Sequence, residues 1–445
     1  MTVAAPRNAG REDIVARFFD MLGVDRPATV SDRNNAIAVF LMGALPAVAG
    51  SAISFMLGAF FVWALISLAR GRIEFRMTRS DRLLAWTFTA FAALIVLTGL
   101  IAENPLGVFR STIWLLPFLS LWAIIPRLRA DENSDYLLFY ILGAAVGCLG
   151  ALVFACVESV LLGARRPEGG AGNAAIFAGM SLCLAGIAGL GIDAQKRGHR
   201  VLAAVAVLAG LTAVVLSLTR GVGILIPLIL LLVVVYAPGK WRSALLRPVA
   251  LIPLVGMALV VFGNWDMIAG RLWQMTVDEF REILGSGYSA NIGERIRLWS
   301  AAWSAFLEAP LLGHGIQNRM ASLAPYLAGD GHPIGGFSHP HNGYLTFAVD
   351  GGLVVLASLL ALLAMPVVVA WRTPRDAAWR RRLFLALVLV CAYASIGLTQ
   401  ILFKHEIMDS FYIYTVILLA ASIPDTGKGR TQADAAAPAG RAGDS

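Results

Sequence analysis

Two histidines flank a proline in Ser338-His339-Pro340-His341-Asn342-Gly343-Tyr344, where a polar stretch gives way to a long apolar run. Three arginines stand out beside them: Arg220 in Ser217-Leu218-Thr219-Arg220-Gly221, and Arg295 and Arg297 in Arg295-Ile296-Arg297-Leu298-Trp299. A neutral imidazole is what a general base requires. Guanidinium is the side chain suited to gripping a diphosphate with paired hydrogen bonds. The residue types therefore point to base chemistry next to an anion.

Each of these residues also has a plainer reading. Arg220 ends one apolar run with almost no loop before the next, so it is either a snorkelling interface anchor or a phosphate ligand. Helical geometry separates the other two arginines. Positions 295, 299, 302, 303 and 306 share one face, whereas Arg297 projects with Ser300, Ser304 and Glu308. A charge on the buried face needs a partner or an anionic ligand, which favours Arg295 over Arg297. His341 precedes a helix beginning about Gly343, whose free N–H groups and dipole favour a neutral ring. A structural hydrogen-bonding histidine at a membrane interface is the competing reading. Pro340 holds His339 extended, and residues two apart on extended chain point to the same side. His314 and His332 lie in Gly-rich turns and read as structural. The Gly313-His314-Gly315 turn and the 329–336 stretch are loops whose backbone has room to approach a ligand.

The elements that carry these residues belong to a membrane protein. Mean hydropathy is +0.73, 58% of residues are hydrophobic and 14% are charged, outside the range of soluble domains. Apolar runs predict about 12 transmembrane helices, at 36–51, 53–69, 83–101, 108–125, 136–163, 174–192, 201–218, 222–237, 248–265, 343–370, 383–402 and 411–423. The expected organisation is a cytoplasmic segment 1–35, spans over 36–265, a large periplasmic loop 266–340, spans over 341–423 and a disordered tail 424–445. Residues 1–35 hold five arginines and no continuous apolar core, so no signal peptide is expected. Within them, 11–22 reads as an amphipathic helix on the inner leaflet. With the N-terminus inside, 26 of the 36 Lys and Arg fall on the cytoplasmic side. Inside the loop, 266–284 and 293–309 read as helices, the second with the apolar stripe Ile296, Trp299, Trp303, Phe306 and Leu307.

The net charge of +8 is that of cytoplasmic anchors near anionic lipid and calls for no nucleic acid. Cys148, Cys156, Cys183 and Cys391 lie in predicted spans and read as small buried hydrophobes. Glu158 and Asp350 also fall within spans. Asp350 lies nine residues after His341, about half a turn away around a helix, so it orients the bundle and does not pair with that histidine. Lys404, His405 and Glu406 read as solvated surface. No phosphate loop, nucleophile elbow, His-Glu-x-x-His or Asp-x-Asp motif occurs, so no nucleotide, metal or other cofactor is expected.

From about Ser217 to Leu356 the chain resembles the O-antigen ligase and polymerase superfamily. The resemblance rests on Thr219-Arg220-Gly221, on Arg295-x-x-Leu298-Trp299 followed by Pro310 and Gly313-His314-Gly315, and on His341-Asn342 with Gly352. Thr219 replaces a commoner serine, and Val355 departs from the family's Gly, Thr or Tyr. The resemblance implies an all-α integral membrane enzyme of the bacterial inner membrane. It implies a glycosyltransferase that moves a glycan from undecaprenyl diphosphate to a lipid A–core sugar on the periplasmic face. The alternative acceptor is a second lipid-linked repeat unit, which would make it a polymerase. His341 would activate the acceptor hydroxyl while Arg220 and Arg295 hold the leaving diphosphate. Arg297, His339, Asn342, Tyr344, Gly313 and Gly315 complete the expected substrate-contacting set. A transporter of a lipid-linked glycan or small solute is the reading from another class. It expects charges or broken helices near the midplane.

Overall fold

The computed structural model describes residues 9–102, 105–130, 135–239, 290–327 and 337–425. Among them the regular structure is helical: α1 (Ala9–Leu22), α2 (Val30–Ala44), α3 (Ala52–Ala69), α4 (Arg79–Ala102), α5 (Pro105–Thr112), α6 (Leu121–Ala130), α7 (Tyr136–Cys156) and α8 (Ala174–Gly189). Then follow α9 (Arg197–Leu216), α10 (Arg220–Gly223), α11 (Ile226–Tyr236), α12 (Ala290–Glu308), α13 (Arg319–Leu327), α14 (Gly343–Arg372), α15 (Trp379–Ile396) and α16 (Glu406–Ala421). A 3₁₀ segment, Ile113–Leu119, joins α5 to α6 around Pro117.

Seven helical stretches among the described residues are long and apolar enough to cross a membrane: Ala52–Ala69, Arg79–Ala102, Pro105–Ala130, Tyr136–Leu161, Ala174–Asp193, Arg197–Leu216 and Gly343–Arg372. The chain is an all-α integral membrane protein, and these seven coincide with seven of the twelve expected spans. Helices α2, α11 and α16 fall on three more but are shorter, and α15 opens on Trp379-Arg380-Arg381-Arg382. The expected span 248–265, the expected helix 266–284 and His332 lie outside the described residues.

Helix α8 is the axis of the bundle. Its Ala, Gly, Ser and Cys residues are small on every side, so α7, α9, α11 and α15 close around it and bury nearly all of it. Helices α2 and α7 cross where Gly43 meets the Tyr140 carbonyl and Gly143 meets the Phe40 carbonyl, an approach that leaves no room for a side chain. The apolar side of α1 docks on this pair: Phe18 meets Phe40 edge-on and buried Phe19 meets Phe139. All four cysteines are free thiols, with Cys148 and Cys183 buried.

One end of the bundle is fastened by arginines that the charge pattern alone presents as lipid anchors. Arg129 grips Asp81 through Nε at 2.6 Å and Nη2 at 2.8 Å, and donates to the Ala420 and Ile423 carbonyls. Arg127 donates to Asn35 Oδ1 and Ser67 Oγ, and its guanidinium lies 3.3 Å from the Trp63 ring centre. Both are buried inside the protein. The opposite end holds the starts of α10, α14 and α16 and the end of α15, and there His339 and His341 lie.

Candidate functional site

The site is built on the start of α14. Asn342 is extended, and its Oδ1 accepts the Leu345 N–H at 3.0 Å, a side-chain cap that starts the helix at Gly343. His341, just before it, lies in the left-handed region at φ +52°. That reversal brings the His339 and His341 rings to 4.5 Å between centres, with Phe337 edge-on to His341 at 5.7 Å. The two imidazoles do lie together, but through the left-handed turn at His341 and not through the expected extended segment.

A turn that the sequence did not single out forms the floor. After α15, three successive carbonyls accept from the site's own elements: Gly397 O from Gly343 N (2.7 Å), Leu398 O from Asn342 Nδ2 (3.4 Å) and Thr399 O from Arg295 Nη1 (3.4 Å). Tyr344 donates to Ala394 O at 2.7 Å. The polar groups of Asn342 and Tyr344 are thus engaged in holding the helix start against α15. Gly221 also lies against Thr399, where an added Cβ would stand 3.0 Å from the Thr399 hydroxyl. Thr399 is thereby the meeting point of the Arg220 and Arg295 segments.

Burial holds the His341 imidazole below its ordinary value of 6.5, and Arg295 pushes the same way against Glu294. His339 is held lower still, at about 4, by burial and then by His341, Arg319 and Lys404. Both rings are neutral at neutral pH. His341 Nδ1 and His339 Nε2 are buried and have no hydrogen-bond partner among the described residues.

Arg220 is the first residue of α10 and is exposed. Thr219 before it is buried, donates to the Ala174 carbonyl and accepts Arg166 Nη2 at 3.1 Å. Burial lowers the Arg166 guanidinium from its ordinary value; Glu168 opposes this, while Arg220 and Arg165 add to it. Three cations therefore gather at this corner. The only signal for Arg165 and Arg166 in the sequence was their place on the outer side, against the charge bias.

Helix α12 turns Leu298, Ala301, Ala302, Ala305 and Phe306 into the protein, with Trp299 partly covered. Ile296, Trp303 and Leu307 are exposed, so the buried stripe is rotated from the expected one. The rotation follows the alanines, which allow α12 to lie close to α13 and α14. Arg295 falls within that stripe, on the side of Leu298 and Ala302, and Arg297 at its edge. Both are half-buried.

Helix α14 is broken nine residues into the membrane run. Gly351 (φ −140°, ψ 15°) and Gly352 (φ 64°, ψ −158°) leave the helix, and the freed backbone groups bond to the 310–315 turn. His314 N donates to Val349 O at 2.8 Å, Gly315 N to Asp350 O at 2.9 Å, and Leu353 N to Pro310 O at 2.8 Å. A Cβ on Gly313 would stand 2.5 Å from Gly351 N, and one on Gly352 would collide with the Leu311 backbone. The backbone that Gly313 and Gly315 approach is that of α14. His314 Nε2 bonds to the Ala305 carbonyl at 2.7 Å, in keeping with a structural role.

Asp350, at the break, is gripped by Arg319 from α13, with Nε to Oδ1 at 2.7 Å and Nη2 to Oδ2, both side chains buried. Arg319 Nη1 also donates to the Ser338 carbonyl at 3.3 Å. Asp350 thus pairs with Arg319 and not with His341, and Arg319 carried no sequence signal beyond being an outward cation.

No curated protein matches the chain. Residues 204–360, which contain Arg220, Arg295, the Gly313–Gly315 turn and His341 through Gly352, match the family model described as O-antigen ligase, and the chain thus carries the domain of that superfamily.

Proposed function

We propose that the protein transfers a glycan from a polyprenyl-diphosphate carrier to a saccharide acceptor at the periplasmic face of the bacterial inner membrane, with undecaprenyl diphosphate as the carrier. The observation that carries this reading is the convergence of a neutral, partly buried His341 with Arg295 and the Arg220 segment around one turn, within the matched domain. His341 takes the proton of the acceptor hydroxyl. The hydroxyl oxygen then bonds to the anomeric carbon of the donor sugar. The bond from that carbon to the diphosphate oxygen breaks, and its electron pair leaves with the diphosphate. Arg220 and Arg295 hold the charge that develops there. His339 and Arg297 flank the reacting groups, and no metal or nucleotide takes part.

In the ligase form the acceptor is a lipid A–core sugar. In the polymerase form it is a second lipid-linked repeat unit. A transporter reading draws on the break in α14, but that break is closed by the chain's own 310–315 turn. The test is purified protein in liposomes with lipid-diphosphate glycan and acceptor only. A new glycosidic bond is expected, and solute movement without one would remove the enzyme reading. The glycan profile of a deletion strain separates the two forms. Lipid-linked polymer accumulating with none on the core means ligase, whereas single repeats on the core mean polymerase.

A further inference from the structure

Helix α12 is apolar on two opposite faces. Leu298, Ala302 and Ala305 are buried against α13 and α14. Half a turn around the helix, Ile296, Trp303 and Leu307 recur at the spacing of one face. These are exposed, Trp303 by 53% and Leu307 by 58%. The stripe runs on into the turn that follows, where Leu311 is 64% exposed and Leu312 is exposed as well. Arg297, Ser304 and Glu308 make a polar flank between the two faces, and Glu308 accepts the Tyr326 hydroxyl there. Arg295 stands on the edge opposite that flank. A surface helix in water keeps a single apolar stripe, so the second one needs a partner.

The neighbours of the stripe identify that partner. Leu353 N donates to Pro310 O at 2.8 Å and Val354 N to Leu311 O at 3.4 Å. The 310–312 turn is therefore laid along α14, a helix long and apolar enough to cross the membrane. Beyond its break, α14 exposes Leu353, Ala357, Leu360 and Ala364, again at the spacing of one face. On a spanning helix such a row faces hydrocarbon. The same turn also reaches α4 and α5. Asn318 Nδ2 donates to the Ala102 carbonyl at 3.5 Å, and Gln317 fills the space that a Cβ on Gly107 would need. There α4 and α5 expose Leu100, Ile101, Leu106 and Phe109. The exposed stripe of α12 thus ends in a turn bonded to two helices that present apolar rows to the bilayer.

We infer that α12 lies along the leaflet at the histidine end of the bundle, with Ile296, Trp303, Leu307 and Leu311 sunk between its phospholipids. Helix α12 is not among the helices able to span. An unspanning helix with an apolar face that carries a tryptophan is the kind that rests in the bilayer interface. Its bonds to α14 and α4 fix the depth, at the edge of the lipid-facing rows. The occupant of the stripe is the glycerol and upper acyl-chain region of ordinary phospholipid. Arg295 is thereby brought to the Thr399 carbonyl by a helix held by protein on one face and by lipid on the other. The inference stands apart from the glycosyl-transfer reading and needs no substrate for its test.

The test places single cysteines at 303, 304, 307, 308 and 311 in the full chain, with the four native cysteines changed to alanine. Each is labelled with bimane in liposomes of phosphatidylethanolamine and phosphatidylglycerol. Quenching by a phospholipid with a doxyl group high on its acyl chain is compared with quenching by iodide in the water. The ratio of lipid to iodide quenching should lie above unity at 303, 307 and 311, and below it at 304 and 308. A doxyl deep in the chain should quench 303 and 307 less than the shallow one. Iodide prevailing at 303 and 307 would make the face solvated and overturn the inference. Neither quencher reaching them would mean a protein cover, from this chain or a second copy, and would overturn it too. The unsubstituted protein supplies an independent measurement. Phosphatidylethanolamine with a diazirine on its acyl chain should cross-link within 296–312 as well as within 353–364. Adducts on 353–364 with none on 296–312 would also overturn the inference.

Discussion

Arg319 of α13 and Asp350 at the break of α14 form a buried two-pronged ion pair, and the nitrogen that Arg319 has left holds the Ser338 carbonyl next to His339. One guanidinium thus ties the broken helix to the loop that aims the histidines. Removing one partner of such a pair typically costs about 3–5 kcal/mol, because it leaves a buried charge alone. Arg319→Met and Asp350→Leu are each expected to lower the unfolding temperature in detergent sharply. Combined, they should recover most of that stability while transfer stays low, since the Ser338 carbonyl then loses its tie to α13. Full transfer by the stable double variant would show that the link to Ser338 is unimportant.

The glycine pair at the break is expected to be as sensitive. Gly352 has φ +64° against the Leu311 backbone, and Gly313 at φ +67° abuts Gly351. Gly352→Ala and Gly313→Ala should each destabilise by about 1–3 kcal/mol and displace the 310–315 turn. Gly58→Ala, at an open position, is the control and should behave as wild type in thermal unfolding.

For the cations, Arg220→Ala and Arg295→Ala should each abolish transfer while the protein still inserts. Lysine at either position should rescue poorly, since it lacks the planar fork that fits a diphosphate. Arg297→Ala should be much milder, although Arg297 is as covered as Arg295. An essential Arg297 beside a dispensable Arg295 would reverse the assignment made from the helix face.

The histidines predict a particular pH profile. A base must be neutral to act, and His341 is held below 6.5 by burial and by Arg295. Protonation therefore switches transfer off only as pH falls below that value, and the rate should be flat through neutrality. His341→Ala should lose about 10²–10⁴-fold in turnover and its acid limb, with donor binding kept. His339→Ala should lose far less and keep the limb. Chelator should leave the rate unchanged, and inhibition by EDTA would bring a metal back into the mechanism.

The residues that carried local signals were legible. Asn342 does cap the helix that His341 precedes, whereas Arg295 and Arg297, expected on a buried and a solvated face, are both half-buried. Apolar run length was enough to recognise a many-helix membrane protein. What escaped was set by contacts between distant segments. Arg319 finds Asp350 across 31 positions and Arg295 finds Thr399 across 104, and no periodicity encodes such pairs. The stripe on α12 was misjudged because alanines, not the large aromatics, mark where helices come close. Arg127 and Arg129 looked like lipid anchors because a charge count says which end of a helix they occupy and not which way they turn.

The left-handed backbone of His341 has a consequence for how this site tolerates change. A side chain in that conformation costs about 1–2 kcal/mol relative to glycine, and His341 carries that strain at φ +52°. Selection for stability alone would replace it. His341→Gly should consequently melt no lower than wild type while transfer is lost, so that a screen for heat resistance would enrich inactive protein at this position. On the transfer reading, activity and folding stability therefore pull in opposite directions at His341.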